Sequence, residues 1–171
     1  MAVLPPLEDR RSLRRMLPSD ARLTHIDKWH ITLGFLGAVA GDHVDEIIRV
    51  LDGVSPPGRF SLSLSGGGRF TAAVWAGVEG DLERLAALRT AVRDALARGG
   101  FPIDDRPFTP HLTVAYHGDR GIRRVLDGYS GKPWPVDEFA LFRSQDGTYE
   151  KLRSWPLPEG SGRSLPEGSG G

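Results

Sequence analysis

Two short segments hold the residues best suited to chemistry: Trp29-His30-Ile31-Thr32-Leu33 and Pro110-His111-Leu112-Thr113-Val114. In each, an imidazole stands two residues before a hydroxyl. Side chains on a β-strand alternate between faces, so His30 and Thr32 share one face while Ile31, Leu33 and Phe35 take the other. His111 and Thr113 are separated in the same way from Leu112, Val114 and Tyr116. One His-x-Thr is an everyday pattern on a half-exposed strand, but two among five histidines, both in matching strand contexts, form a signal. His25, His43 and His117 lack that context and read as loop or helix-surface residues.

Cleavage of a phosphodiester needs a base for the attacking nucleophile and an acid for the leaving oxygen. Imidazole titrates close enough to neutrality to do either. Thr32 and Thr113 can donate to the non-bridging oxygens, where charge must be held as the transition state forms. Other chemistries find little support. The absence of cysteine excludes disulfides, thiolate nucleophiles and cysteine-ligated zinc. There is no His-Glu-x-x-His and no carboxylate cluster, so neither a metal nor a cofactor is expected. No Gly-x-Ser-x-Gly elbow marks a serine hydrolase.

The elements that must position these residues are legible as a mixture. Leu7 to Leu17 reads as a short amphipathic helix, with Arg10, Arg11, Arg14 and Arg15 on its solvent side. Asp42 is placed to cap a second helix, in which Val44, Ile47, Ile48 and Leu51 recur before Gly53. A third begins near Asp81 and carries Leu85, Leu88, Val92 and Leu96 to Gly99-Gly100, where a left-handed cap is cheapest. Strand patterns cover 29–36, 60–64, 72–78, 110–116 and 138–144. The fold class is therefore α+β. Gly66-Gly67-Gly68 lies between two strand patterns and reads as a hairpin loop.

A chain of 171 residues, 39% hydrophobic and 26% charged, can bury one sizeable core or two small lobes. Its 22 basic residues balance 22 acidic ones, so any anionic ligand has to be caught locally rather than by an overall field. The N-terminal residues are interrupted by Pro and charge too early for a signal peptide, and no apolar run is long enough to span a membrane. A cytoplasmic protein without membrane contact is expected. Leu157-Pro158-Glu159-Gly160-Ser161-Gly162 returns as Leu165-Pro166-Glu167-Gly168-Ser169-Gly170, a composition that cannot bury a core.

The segment from Arg22 to Gly37, centred on Trp29-His30-Ile31-Thr32-Leu33-Gly34-Phe35-Leu36-Gly37, and the segment Arg106-Pro107-Phe108-Thr109-Pro110-His111-Leu112-Thr113 resemble the two signatures of the RNA 2',3'-cyclic phosphodiesterase family. This family, also called bacterial 2'-5' RNA ligase, belongs to the two-histidine phosphoesterase superfamily. The similarity continues through Phe139-Ala140-Leu141-Phe142-Arg143-Ser144 and the stretch from Tyr149 to Leu157. It implies one bilobal domain over 1–157, with two pseudo-symmetric lobes that each have an antiparallel sheet and flanking helices, and a flexible tail over 158–171. His30 and Thr32 would then face His111 and Thr113 across a shared cleft.

The implied activity is metal-independent hydrolysis of the 2',3'-cyclic phosphate ends of RNA to 2'-phosphates, with reverse 2'-5' ligation as a companion reaction. By the same resemblance His111 is the base that activates water and His30 the acid for the leaving 3' oxygen. Other superfamily members act on small nucleotide cyclic phosphates or 2'-5' oligoadenylate, and a non-catalytic RNA-end binding module would keep the same cleft. The expected partners are thus RNA ends or small nucleotides bearing a cyclic phosphate, met by a monomer. The chain departs from its relatives in two places. Its first strand is short, and Tyr116 stands where many relatives carry Arg. Tyr116 and Arg143 are accordingly candidate substrate contacts, and Arg106 or an N-terminal arginine is an alternative cation.

Overall fold

A computed structural model describes residues 1–117 and 120–160; the 161–171 part of the expected tail lies outside them. Among the described residues eight strands form one antiparallel sheet: β1 (Ala2–Val3), β2 (Ile31–Thr32), β3 (Phe60–Phe70), β4 (Ala73–Gly80), β5 (His111–Tyr116), β6 (Trp134–Val136), β7 (Glu138–Gln145) and β8 (Thr148–Pro156). Their order is β6-β3-β4-β5-β2-β1-β7-β8. The helices are α1 (Leu7–Met16), α2 (Val44–Asp52), α3 (Leu82–Arg98) and α4 (Arg120–Asp127). The two halves of the chain repeat a theme. β1-α1-β2-α2 and β4-α3-β5-α4 each run strand, helix, His-x-Thr segment, helix, and the two units meet through the antiparallel pairing of Ile31 with Leu112.

The helices form where apolar side chains recur at helical spacing. Leu85, Leu88, Val92 and Leu96 of α3 are all wholly buried, each worth about 1.5–3 kcal/mol of transfer free energy. The helix stops in a Schellman arrangement: Phe101 N–H donates to Leu96 O, Gly100 N–H to Ala97 O, and Gly100 takes φ +84°. Asp81 flanks the helix, but its carboxylate accepts from Ser61 N–H rather than capping. Asp42 does not cap α2 either, because a 3-10 turn at Gly41–His43 feeds straight into that helix. Leu13, Leu51, Leu126 and the α3 stripe join Ile31, Leu112 and Val114 in one core. Among the described residues no helix is long and apolar enough to cross a membrane.

Several local expectations are corrected. The glycine run is not a hairpin loop. It lies inside β3, where a bulge between Leu64 and Gly67 uses the left-handed Gly66 (φ +65°), and the hairpin turns four residues later at Thr71–Ala72. Arg10 is not solvated: it is buried, with Nε–H donating to Pro5 O and Nη1–H to Ile26 O, each at 3.0 Å. The strand expected over 29–36 shrinks to two residues, after which the chain bends away and Phe35 emerges 74% exposed instead of entering the core.

Candidate active site

The first motif is set by the loop that precedes it. Trp29 is wholly buried, and its indole N–H donates to Thr24 Oγ1 at 2.9 Å, while Thr24 N–H reaches Val114 O on β5 at 2.8 Å. The loop leading to His30 is thereby tied to the strand carrying the second motif. From the Ile31–Leu112 pairing, antiparallel register sets His30 across from Thr113 and Thr32 across from His111. The two histidines are diagonal neighbours on one face, positions roughly 7–8 Å apart with the Cβ atoms somewhat closer. Their alternating partners Ile31, Leu33, Leu112 and Val114 are buried, as the sequence pattern requires.

Both imidazoles are held by the same device. His30 Nδ1–H donates to Lys28 O at 2.6 Å, and His111 Nδ1–H donates to Thr109 O at 2.7 Å. The acceptor is in each case the carbonyl two residues back. A carbonyl can only accept, so each ring keeps its proton on Nδ1 and leaves Nε2 for a ligand. Burial pulls the His30 pKa below the usual imidazole value. The Lys28 carbonyl works against that fall, and the positive charges of the N-terminal amine and His111 add to it. His30 is therefore held towards its neutral form.

Aromatic rings brace each imidazole. Phe142 stacks on His30 at 6.4 Å between centroids and Tyr149 lies 5.5 Å away, while Phe70 meets His111 edge-on at 5.0 Å and Trp75 at 5.7 Å. Trp75 lies across its ladder partner Gly68, where a side chain would collide with the indole. These bracing rings escaped the sequence reading, since Trp75 reaches His111 only through strand pairing and no local signal marks it.

His30, Thr32, His111 and Thr113 line a cleft of about 950 Å³, together with Tyr116 and Arg143. Tyr116 corrects the alternation argument. A bulge opposite Val74–Trp75 leaves both Val114 and Ala115 buried, which shifts the phase and brings Tyr116 to the cleft side, 59% exposed. Arg143 arrives paired with Glu150 at 2.6 Å. Arg106 pairs with Asp104 and does not line the cleft. Lys28, which the sequence reading passed over, does line it and makes no ion pair among the described residues.

A mixed α/β chain whose curled antiparallel sheet presents two His-x-Thr pairs to one cleft has the architecture of a two-histidine phosphoesterase. The family model described as the 2'-5' RNA ligase superfamily matches residues 7–148, and the chain belongs to that superfamily. Among curated relatives, an Escherichia coli RNA 2',3'-cyclic phosphodiesterase is 28% identical over 148 residues, covering 83% of each chain. A Thermus thermophilus RNA 2',3'-cyclic phosphodiesterase is 32% identical over 157 residues, 82% of this chain and 78% of that one. The crystal structure of E. coli LigT complexed with 3'-AMP superposes with a TM-score of 0.73 at 25% identity, covering 91% of this chain and 95% of that one.

Proposed function

We propose that the protein hydrolyses the 2',3'-cyclic phosphate ends of RNA to 2'-phosphates, with His30 and His111 as its acid–base pair and no metal ion. The observation that carries this reading is the doubled geometry. Two imidazoles on diagonal positions of one strand pair line the same cleft, and each has Nδ1–H tied to a backbone carbonyl, which leaves Nε2 free for a ligand. A cyclic phosphate between them meets one nitrogen that takes a proton from water and another that gives one to the departing 3' oxygen. Thr32 and Thr113, one beside each ring, donate to the non-bridging oxygens. The names of the curated relatives agree with this substrate.

The resemblance assigns His111 the base role and His30 the acid role. Burial lowers the His30 pKa, so as the acid it depends on the phosphate anion to favour its protonated form. Replacing either histidine by Ala should lower kcat by about a hundredfold or more, the size of lost acid or base help. Replacing Thr32 or Thr113 by Val should cost less. Wild-type turnover in the His30→Ala, His111→Ala double variant would remove the proposal.

A further inference from the structure

We infer that the end of the cleft formed by Lys28, Tyr116 and Tyr149 is a subsite for the nucleotide on the 5' side of the cyclic-phosphate terminus. The inference rests on the phosphodiesterase reading and extends it to how far along an RNA strand recognition reaches.

The three residues come from separate parts of the chain and arrive by independent devices. Tyr116 reaches the cleft because the β5 bulge spends two successive residues, Val114 and Ala115, on the core. Lys28 ends the 3-10 turn Ile26–Lys28, and its own carbonyl is the acceptor that fixes His30. Tyr149 enters from β8, its ring 5.5 Å from the His30 ring and 5.8 Å beneath the Lys28 ammonium. Thr24 N–H, bonded to Val114 O, runs the start of the Lys28 loop beside the end of β5 that carries Tyr116.

Both tyrosines keep large exposed areas, 59% for Tyr116 and 40% for Tyr149, while lining the same cleft as the histidines. Lys28 has no carboxylate partner among the described residues, whereas Arg143 is already engaged by Glu150. An exposed aromatic ring, Tyr116, beside a cation that has no carboxylate partner and rests over a second ring, Tyr149, matches a single-stranded nucleic acid, in which each base offers a π-face and each linkage a negative charge. Tyr116 also stands two ladder positions beyond Thr113, their β4 partners being Ala73 and Trp75, roughly 7 Å along the strand at about 3.4 Å per residue. That is farther than a phosphate held between the histidines needs for its own contacts.

The experiment compares kcat/KM for adenosine 2',3'-cyclic phosphate with that for the dinucleotide ApA ending in the same cyclic phosphate. Wild type should favour the dinucleotide roughly tenfold or more, about what one base stacked on an aromatic ring supplies. Tyr116→Ala should bring the ratio of the two substrates towards one, and Tyr116→Phe, which keeps the ring, should preserve it. Lys28→Gln should lower the ratio and flatten the salt dependence of the dinucleotide KM, a response that a purely structural lysine would not give. Equal use of the two substrates by wild type, or a ratio unchanged in both Tyr116→Ala and Lys28→Gln, would overturn the subsite while leaving the phosphodiesterase reading intact. Hydrolysis of neither substrate would overturn that reading and the subsite with it.

Discussion

Gly68→Ala tests how the sheet supports the site, because the sequence pattern and the structure disagree about that residue. As part of a hairpin loop, Gly68 would accept Ala at little cost. In the structure it is the ladder partner of Trp75, and an added Cβ would sit 2.7 Å from Trp75 Cε2 and closer still to Cζ2 and Cη2. Ordinary contact begins near 3.4 Å, so the indole must move by about 1 Å or more. It cannot do so alone, since its centroid lies 5.0 Å from Phe70 and 5.7 Å from His111. Forced overpacking of this kind costs about 1–3 kcal/mol, against a return of roughly 0.5–1 kcal/mol from replacing glycine within a strand. The net loss, about 1 kcal/mol at mid-range and at most about 2.5, should lower Tm by roughly 2–4 °C at mid-range in a domain of this size. Because the displaced ring braces His111, kcat should fall as well. Gly128→Ala, where a Cβ meets nothing closer than Val125 O at 4.0 Å and which does not line the cleft, supplies the control. Differential scanning fluorimetry and steady-state kinetics on the two variants decide the matter. A Gly68→Ala protein as stable and as active as Gly128→Ala would refute the role given to Trp75.

Arg10→Met should destabilise the fold by about 1–3 kcal/mol, because the Pro5 and Ile26 carbonyls lose their donor. It should also reduce kcat/KM, since Ile26 belongs to the loop that delivers His30; thermal melts and kinetics matching wild type would count against this. His30 has a pKa lowered by burial, so the fold favours its neutral form. That contribution to stability is complete above the unfolded value near 6.5 and is lost as pH falls below it. Wild type should therefore lose Tm relative to His30→Asn between about pH 6.5 and 5, whereas parallel melting curves would contradict the shift. For the same reason kcat/KM should follow a bell whose acidic limb lies below about pH 6.5. A rate that rises steadily with pH would point to a different nucleophile.

The catalytic candidates were legible because their signal is local. His-x-Thr flanked by apolar residues specifies a strand face by alternation alone, and α3 announces itself through Leu85, Leu88, Val92 and Leu96. What escaped depends on pairing. β1 has two residues and β6 three, too few to show a period, and β6 includes Pro135, which suits an edge strand. β8 carries Glu150, Lys151 and Arg153, the charges expected on an exposed sheet edge, and so looked unlike a strand. The eight-residue α4 buries only Ile122 and Leu126, a single i, i+4 pair. The bulges at Gly66 and beside Val114 shift the alternation by one residue each. That shift turned a supposed loop into strand and brought Tyr116 out of the core, and neither event has a local cause that Gly66 or Tyr116 displays by itself.

The most direct test of the two-histidine account is hydrolysis of an oligoribonucleotide with a 2',3'-cyclic phosphate end in excess EDTA, with the product isomer identified by phosphorus NMR. The account predicts an undiminished rate, a 2'-phosphate product, and loss of about a hundredfold or more in His30→Ala and in His111→Ala. A reaction that stops on chelation and returns with a divalent ion, or one that yields the 3'-phosphate, would contradict it.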